Sequence, residues 1–423
     1  MNAFLDKLSH IFRDKTLRKR IFFVVLMLVL FRLLTVIPIP GIDTARLATL
    51  FQNSQFLGLL NLFSGGGLSN LSIVMLGVGP YITASIIMQL LTIMSPRLKA
   101  MYQEEGEAGR IKVAQYSRLI ALPLALLQAF AFVIILQRQS ILSELSTFGM
   151  LLNVSVIAAG SMLLMWIGEL ITEFGLGNGT SLIIFAGIVA RMPQAASSAI
   201  AAYDPSQLPI YIAFAVLALV VIYAIVFITE AERPIPVTYA KQVRGMKVYG
   251  GVSTYLPLRL NQAGVIPIIF ALSILLFPQM IFNFLSTSAN AALNHISVVG
   301  LSLLNNHWLY NSVYFLFVFL FTYFYTAVTF DPTMISENLQ KSGAFIPGVR
   351  PGIHTAEHLS KIVTRITLVG ALFLGVIAVL PLIIQVYSPV KTIAIGGTAV
   401  LIVVSVVLDV VKKLDAQVSM REY

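Results

Sequence analysis

Ten stretches of the chain are apolar over a length that matches a lipid bilayer, and the charged residues are concentrated between them. A helix needs about 20 predominantly apolar residues to cross a hydrocarbon core of about 30 Å. The pattern predicts spans at 21–37, 74–94, 118–137, 151–173, 178–193, 208–230, 262–284, 309–330, 365–387 and 392–411. The first follows Arg18-Lys19-Arg20, as a secretory signal would. It carries Arg32, however, and ends in Pro38-Ile39-Pro40-Gly41 without a small-residue cleavage site, so it is read as a retained helix. The fifth is the weakest, because its dense apolar part runs only from Leu182 to Ala190 after Gly175-Leu176-Gly177-Asn178-Gly179.

Charge arbitrates both the number of spans and their direction. With the N-terminus in the cytosol, residues 1–20 carry six Lys and Arg, 96–118 five, 231–261 five, 331–365 four and 412–423 three, which places 23 of 28 on one side. The opposite segments keep only Arg46, Arg138, Arg191 and Lys391, and Arg32 lies within a span. That asymmetry is the positive-inside pattern, with both termini cytosolic. Deleting the fifth span would invert everything downstream and carry 12 basic residues across, so it is retained. The chain then divides into a cytosolic segment 1–20, a first half 21–193 holding spans one to five, an outer loop with span six over 194–230, and a cytosolic loop 231–261. Spans seven and eight (262–330), a second cytosolic loop (331–364), the last two spans (365–411) and a cytosolic tail (412–423) complete it.

Composition agrees with an integral membrane protein: 423 residues, 58% hydrophobic, 11% charged, with a mean hydropathy of +0.89. The net charge of +10 is spread over segments separated by apolar runs and forms no continuous basic domain for nucleic acid. With no cysteine, there is no disulfide, thiolate metal site or thiol nucleophile.

Ten spans divide into five and five, and an odd number per half makes two related halves face the membrane in opposite senses. Gly77-Val78-Gly79-Pro80-Tyr81-Ile82 opens the second span and Gly264-Val265-Ile266-Pro267-Ile268-Ile269 the seventh, with four of six positions identical. Chance similarity between apolar segments competes with a true repeat here.

Few side chains in the spans suit chemistry. Glu169, Glu173, Glu230 and Asp409 sit near predicted ends, so no buried ion relay is visible. Glu169 and Glu173 share a helix face and read as a water-facing end rather than an acid–base pair. Arg32 lies about 18 Å along the helix from Arg20; it lines a polar path, snorkels to the outer interface or has a structural partner. His354-Thr355-Ala356-Glu357-His358 fits the H-x-x-E-H zinc-protease pattern. It follows Arg350-Pro351-Gly352 in a basic loop without an evident third ligand, so a solvated helix start capped by Thr355 is the expectation. Neither a nucleotide-binding P-loop nor a serine-nucleophile elbow is present. Between the first two spans lies Asn61-Leu62-Phe63-Ser64-Gly65-Gly66-Gly67-Leu68-Ser69-Asn70, where Leu57 to Phe63 is too short to span and too apolar for an ordinary exposed loop. Irregular backbone at membrane depth is tolerated where protein buries it or it lines a cavity, so this segment implies a cavity.

Several motifs, in order along nearly the whole chain, carry a resemblance. They are Ile37-Pro38-Ile39-Pro40-Gly41-Ile42-Asp43, Phe63-Ser64-Gly65-Gly66, Pro80-Tyr81-Ile82-Thr83-Ala84-Ser85-Ile86-Ile87, Trp166-Ile167-Gly168-Glu169 with Gly177-Asn178-Gly179, and Lys341-Ser342-Gly343-Ala344-Phe345-Ile346-Pro347-Gly348-Val349-Arg350-Pro351-Gly352. The chain thereby resembles the SecY/Sec61-alpha family, whose bacterial members are central subunits of the protein-conducting channel.

The resemblance implies an all-α polytopic membrane protein of the bacterial cytoplasmic membrane. Its ten transmembrane helices would form two pseudo-symmetric inverted halves of five, with a short re-entrant plug helix over about 57–72. Unfolded polypeptides would pass through the centre, and hydrophobic segments would leave through a lateral gate. It implies a pore ring of Val78, Ile82, Thr180, Ile184, Ile269 and Ile402, with Thr180 departing from the aliphatic residue expected there. Plug residues would be Leu62, Phe63, Ser64, Gly65, Gly66 and Gly67, and gate residues Gln89 and Asn261. Arg244, Lys247 and Arg350 would dock a motor or ribosome, since guanidinium groups suit RNA phosphates and protein carboxylates alike. Implied partners are the SecE and SecG membrane subunits, the SecA ATPase or the ribosome with its ribosomal RNA, and secretory or membrane proteins as substrate. No cofactor and no catalytic activity of its own are implied. An inverted-repeat transporter for a small solute is the alternative, and a zinc intramembrane protease is a third.

Overall fold

The computed structural model describes residues 14–40, 61, 64–68, 70–103, 105–138, 142, 146–201, 205–239, 242–244, 247–249, 253–286, 290–387 and 397–419. Helices dominate: α1 (Lys15–Leu34), α2 (Gly79–Met94), α3 (Pro96–Gln103), α4 (Gly106–Arg138), α5 (Thr147–Phe174), α6 (Gly179–Val189), α7 (Met192–Ala201) and α8 (Leu208–Glu230) come first. Strands β1 (Glu232–Tyr239), β2 (Gln242–Arg244), β3 (Lys247–Tyr249) and β4 (Ser253–Arg259) follow. Then come α9 (Ile266–Leu285), α10 (Ala291–Asn305), α11 (His307–Thr329), α12 (Pro332–Lys341), β5 (Ala344–Phe345), α13 (Ile353–Tyr387) and α14 (Gly397–Ser419). Helix starts obey local capping chemistry: Asp14 Oδ1 accepts from Thr16 N at 2.7 Å, Ser146 Oγ from Gly149 N at 3.2 Å and Asn178 Oδ1 from Ser181 N at 3.2 Å.

Among the described residues, six helices are long and apolar enough to cross a membrane: those built on α4, α5, α8, α9, α11 and α13. On α8 only 6% of the most apolar window is buried in the protein. A helix that apolar on all sides needs lipid around it.

Four expectations are corrected. The fifth span is not one helix over 178–193. It is α6, 11 residues and about 16 Å long, with a turn at Ala190–Arg191 before α7. Pro193 explains the break, since it has no N–H for the carbonyl of Val189 and its ring would clash there. The second span becomes helical only at Gly79, with turns over 74–78. The ninth begins at Ile353, well before 365, and α13 runs for 35 residues, about 52 Å. Finally, the described residues of 231–261 and 331–364, expected as loops, include the strands β1–β5, α12 and the start of α13.

Two compact units compose the chain. The first comprises Met1–Gln207, Leu272–Tyr310 and Gln385–Tyr423, the second Leu208–Ala271 and Asn311–Ile384. Within the first, α2 packs on α4 and α5, α4 on α5, and α6 on α1, α5 and α14. Its main core joins the turns at Leu68, Leu71 and Met75 to Phe132 and Leu136 on α4 and Ile157 on α5.

Within the second, β1 is the middle strand of a sheet ordered β4-β1-β5. Antiparallel pairing with β4 runs from Glu232↔Arg259 to Thr238↔Ser253, and β5 joins at Thr238↔Phe345. Pro234 and Pro236 fall where β1 has a neighbour on one side only, so the missing donors break no ladder there. The inward residues Ile235, Val237 and Leu258 form a closed apolar core with Ala344, Ile346 and Leu359, Val363 and Ile366 of α13. The two predicted loops are thus one folded body.

Candidate functional site

The Gly-rich segment is the most deeply packed irregular stretch of the first unit. Leu62 and Phe63 lie outside the described residues. From Ser64 to Leu71 the described backbone runs through turns rather than helix, and Asn61, Ser64 and Leu68 are buried. Ser64 Oγ donates to the carbonyl of Asn61 at 3.2 Å and accepts from Leu68 N at 3.0 Å. Ile39 N donates to the carbonyl of Leu71 at 2.9 Å, and Ile73 N to that of Ile37 at 3.0 Å.

Two glycines make the seat. Gly65 takes φ +64°, and a β-carbon on it would collide with the ring of Phe31 on α1. A β-carbon on Gly187 of α6 would collide with the Cα of Gly65, so the two backbones touch directly. Arg32 Nη1 donates to the carbonyl of Gly65 at 3.4 Å, and Arg32 and Arg191 both border Gly66. Arg32 therefore has a structural partner, one of the readings its sequence position leaves open.

The turn entering α2 carries two of the predicted ring residues. Gly77 adopts φ +59°, and its carbonyl accepts from Ser161 Oγ of α5 at 2.7 Å. Gly160, next to Ser161, leaves no room for a side chain against the carbonyl of Ile73. Val78 is fully buried, and Ile82 N returns to its carbonyl at 3.0 Å. In the second unit the turn entering α9 repeats this local conformation: Gly264 has φ +62°, and Ile269 N donates to the carbonyl of Val265 at 3.3 Å.

On α6, Ile184 is buried and Thr180 half-buried, one turn apart. The Thr180 hydroxyl and Ile183 border Gly168 of α5, at 3.4 Å from where a β-carbon would stand. Its hydroxyl thus faces the neighbouring helix. Ile402 is buried on α14, which packs on α6.

Both predicted gate residues hold a buried carbonyl oxygen with no hydrogen-bond partner among the described residues: Gln89 Oε1 and Asn261 Oδ1. Their amides are engaged locally, Gln89 Nε2 with Ser85 Oγ at 3.4 Å and Asn261 Nδ2 with the carbonyl of Gly264 at 3.3 Å. An unpaired buried acceptor is costly.

In the second unit, Arg244 and Lys247 are opposed in register at the end of the β2–β3 ribbon where the chain passes from one strand to the other. Arg350 is held by its backbone, its carbonyl accepting from Thr355 Oγ1 at 2.8 Å, while Ser336 Oγ donates to the carbonyl of Gly352 at 2.6 Å. This corrects the capping role expected of Thr355, since α13 starts at Ile353 and the buried hydroxyl is a donor. His354 and Glu357 are exposed on the first turn of α13, 3.9 Å apart. Glu169 pairs with Arg118 of α4 in a solvent-exposed ion pair, and Glu173 is exposed, in keeping with a water-facing helix end. Gly160, Ser161, Gly187 and Phe31 escaped sequence reading; small residues in otherwise apolar spans were the available signal.

The SecY family model matches residues 72–411. The translocase subunit SecY of Mycobacterium bovis is 41% identical, with 100% of this chain and 99% of that protein aligned. The chain belongs to the SecY family. SecY of Vibrio cholerae is 42% identical, over 96% of this chain and 93% of its own. Among solved structures, a protein-conducting channel matches with a TM-score of 0.64 at 18% identity, covering 94% of this chain and 92% of the other. Sec61 from the canine ribosome–channel complex matches with 0.61, also at 18% identity and the same coverage. The fold of this SecY family member is that of these channels.

Proposed function

We propose that the chain is the central subunit of a bacterial protein translocase, a channel that passes unfolded secretory polypeptides across the cytoplasmic membrane. The full-length similarity to translocase subunits carries the reading. The same similarity, to SecY of Mycobacterium bovis and of Vibrio cholerae alike, does not favour the transporter alternative.

In this reading ten spans form two inverted halves of five, with α6 as a short fifth span and both termini cytosolic. The left-handed glycines Gly77 and Gly264, each followed by a matching turn into helix, support the repeat. The segment around 57–72 is the plug, and the burial of Ser64 to Leu68 corresponds to a seated one. Val78, Ile82, Thr180, Ile184, Ile269 and Ile402 form the constriction. Aliphatic side chains there shed water and offer a passing chain no specific bonds. Gln89 and Asn261 belong to the lateral gate, where interhelical polar contacts of about 1 kcal/mol yield readily to a signal sequence. The body built on β1–β5 and α12 is the cytosolic platform for the SecA ATPase or the ribosome, with Arg244, Lys247 and Arg350 as contacts. SecE and SecG complete the membrane complex, and the work of translocation comes from the docked motor rather than from catalysis in this chain.

Reconstitution tests this. Vesicles holding the chain with its membrane subunits should protect an added precursor from protease when motor and ATP are supplied. Protease-sensitive precursor together with saturable uptake of a small solute would favour the transporter instead.

A further inference from the structure

Helix α10, which has no task in the proposed function, is a surface helix tethered at both ends to membrane-crossing ones. At its start Asn290 Oδ1 accepts from Ala292 N at 3.0 Å, and Asn294 Nδ2 donates to the carbonyl of Ser286, just beyond α9, at 3.4 Å. Midway, Gly300 lies against α9, where a β-carbon would come 2.7 Å from Phe282 Cζ. At its end Asn306 alone separates it from α11, and Asn306 Oδ1 accepts from Trp308 N at 3.1 Å. Both α9 and α11 are long and apolar enough to cross the membrane, so α10 is held where their ends leave the hydrocarbon. Trp308, 65% exposed in the first turn of α11, marks the same level. Indole rings concentrate at the headgroup layer.

The sides of α10 differ in chemistry. Ser297 and Gly300 are buried against the protein. At about 100° per residue, Ile296, Val299 and Leu303 align on one flank, and all three are exposed. His295, Ser302 and Asn305 align about 100° further round, on the side turned away from the protein, exposed as well and with Val298 among them. The helix contains no Lys or Arg, so attraction to anionic headgroups cannot hold it at a membrane. Apolar burial can.

We propose that α10 is an interfacial helix whose partner is lipid, with Ile296, Val299 and Leu303 against acyl chains and His295, Ser302 and Asn305 toward water. On the topology proposed above it lies in the outer leaflet; its depth rests on the tethers and does not depend on that topology.

The chain has no cysteine, so spin labels can be placed singly by Ile296→Cys, Leu303→Cys, His295→Cys and Ser302→Cys. With the full chain in phosphatidylethanolamine–phosphatidylglycerol vesicles, collisions with oxygen and with a water-soluble nickel chelate are measured by power saturation. The oxygen-to-nickel ratio is expected to be several-fold higher at 296 and 303 than at 295 and 302. Equal nickel access at all four sites would place the helix in water and overturn the proposal. Exclusion of both reagents at 296 and 303 would put protein on that flank and overturn it equally.

Discussion

At the scale of residues, the seating of the Gly-rich segment depends on missing side chains. Gly65 and Gly187 allow two backbones to meet, and nothing larger fits at either place. Gly187→Val forces extra atoms into that contact at a cost of about 1–3 kcal/mol. If the seated segment yields rather than α6, the unseated population rises about 5- to 150-fold. Ion leak through reconstituted vesicles is expected to increase by a comparable factor, and an unchanged leak would show that the seat does not govern closure. The three consecutive glycines were visible in the sequence as part of an irregular segment at membrane depth. Their partner was not, because Gly187 lies in another span and nothing local in Leu182 to Ala190 signals which backbone it meets. Thr180 looked anomalous as an aliphatic replacement. Its hydroxyl turned toward Gly168 shows how a polar side chain is accommodated at that position.

At the scale of elements, apolar length read the long helices well and failed wherever a helix is short, broken or outside lipid. α6 is interrupted because Pro193 acts through a backbone bond, which hydropathy does not register. α10 and α7 were invisible because helices that short and only partly apolar fall below any spanning threshold. The strands were missed for a different reason: prolines at 234, 236 and 257 argue against strand in isolation, and only the register shows that they sit at permissive positions. The resulting body has its own core, in which Leu359 is fully buried. Leu359→Ala should cost that core about 2–5 kcal/mol. Hydrogen exchange is expected to accelerate across 232–259 and 344–352 while α4 and α5 keep their protection. Retained protection in both strands would mean that sheet and helix are not one cooperative unit.

At the scale of the whole molecule, the segregation of basic residues and the apolar spans were enough to read a polytopic membrane protein, and ordered motifs tied it to the SecY family. The ring is the claim on which mechanism turns, because an aliphatic constriction gives a channel for polypeptide rather than a pocket for solute. Of the proposed positions, Ile82, Ile184, Ile269 and Ile402 are each buried. The most direct measurement is to arrest a secretory precursor in transit through the complete translocase and photocrosslink it from probes placed singly at these four positions. The account predicts crosslinks to the arrested chain from all four and none from an equivalent probe at Val220, exposed on α8. Crosslinks absent from the four while the chain is demonstrably in transit would contradict it.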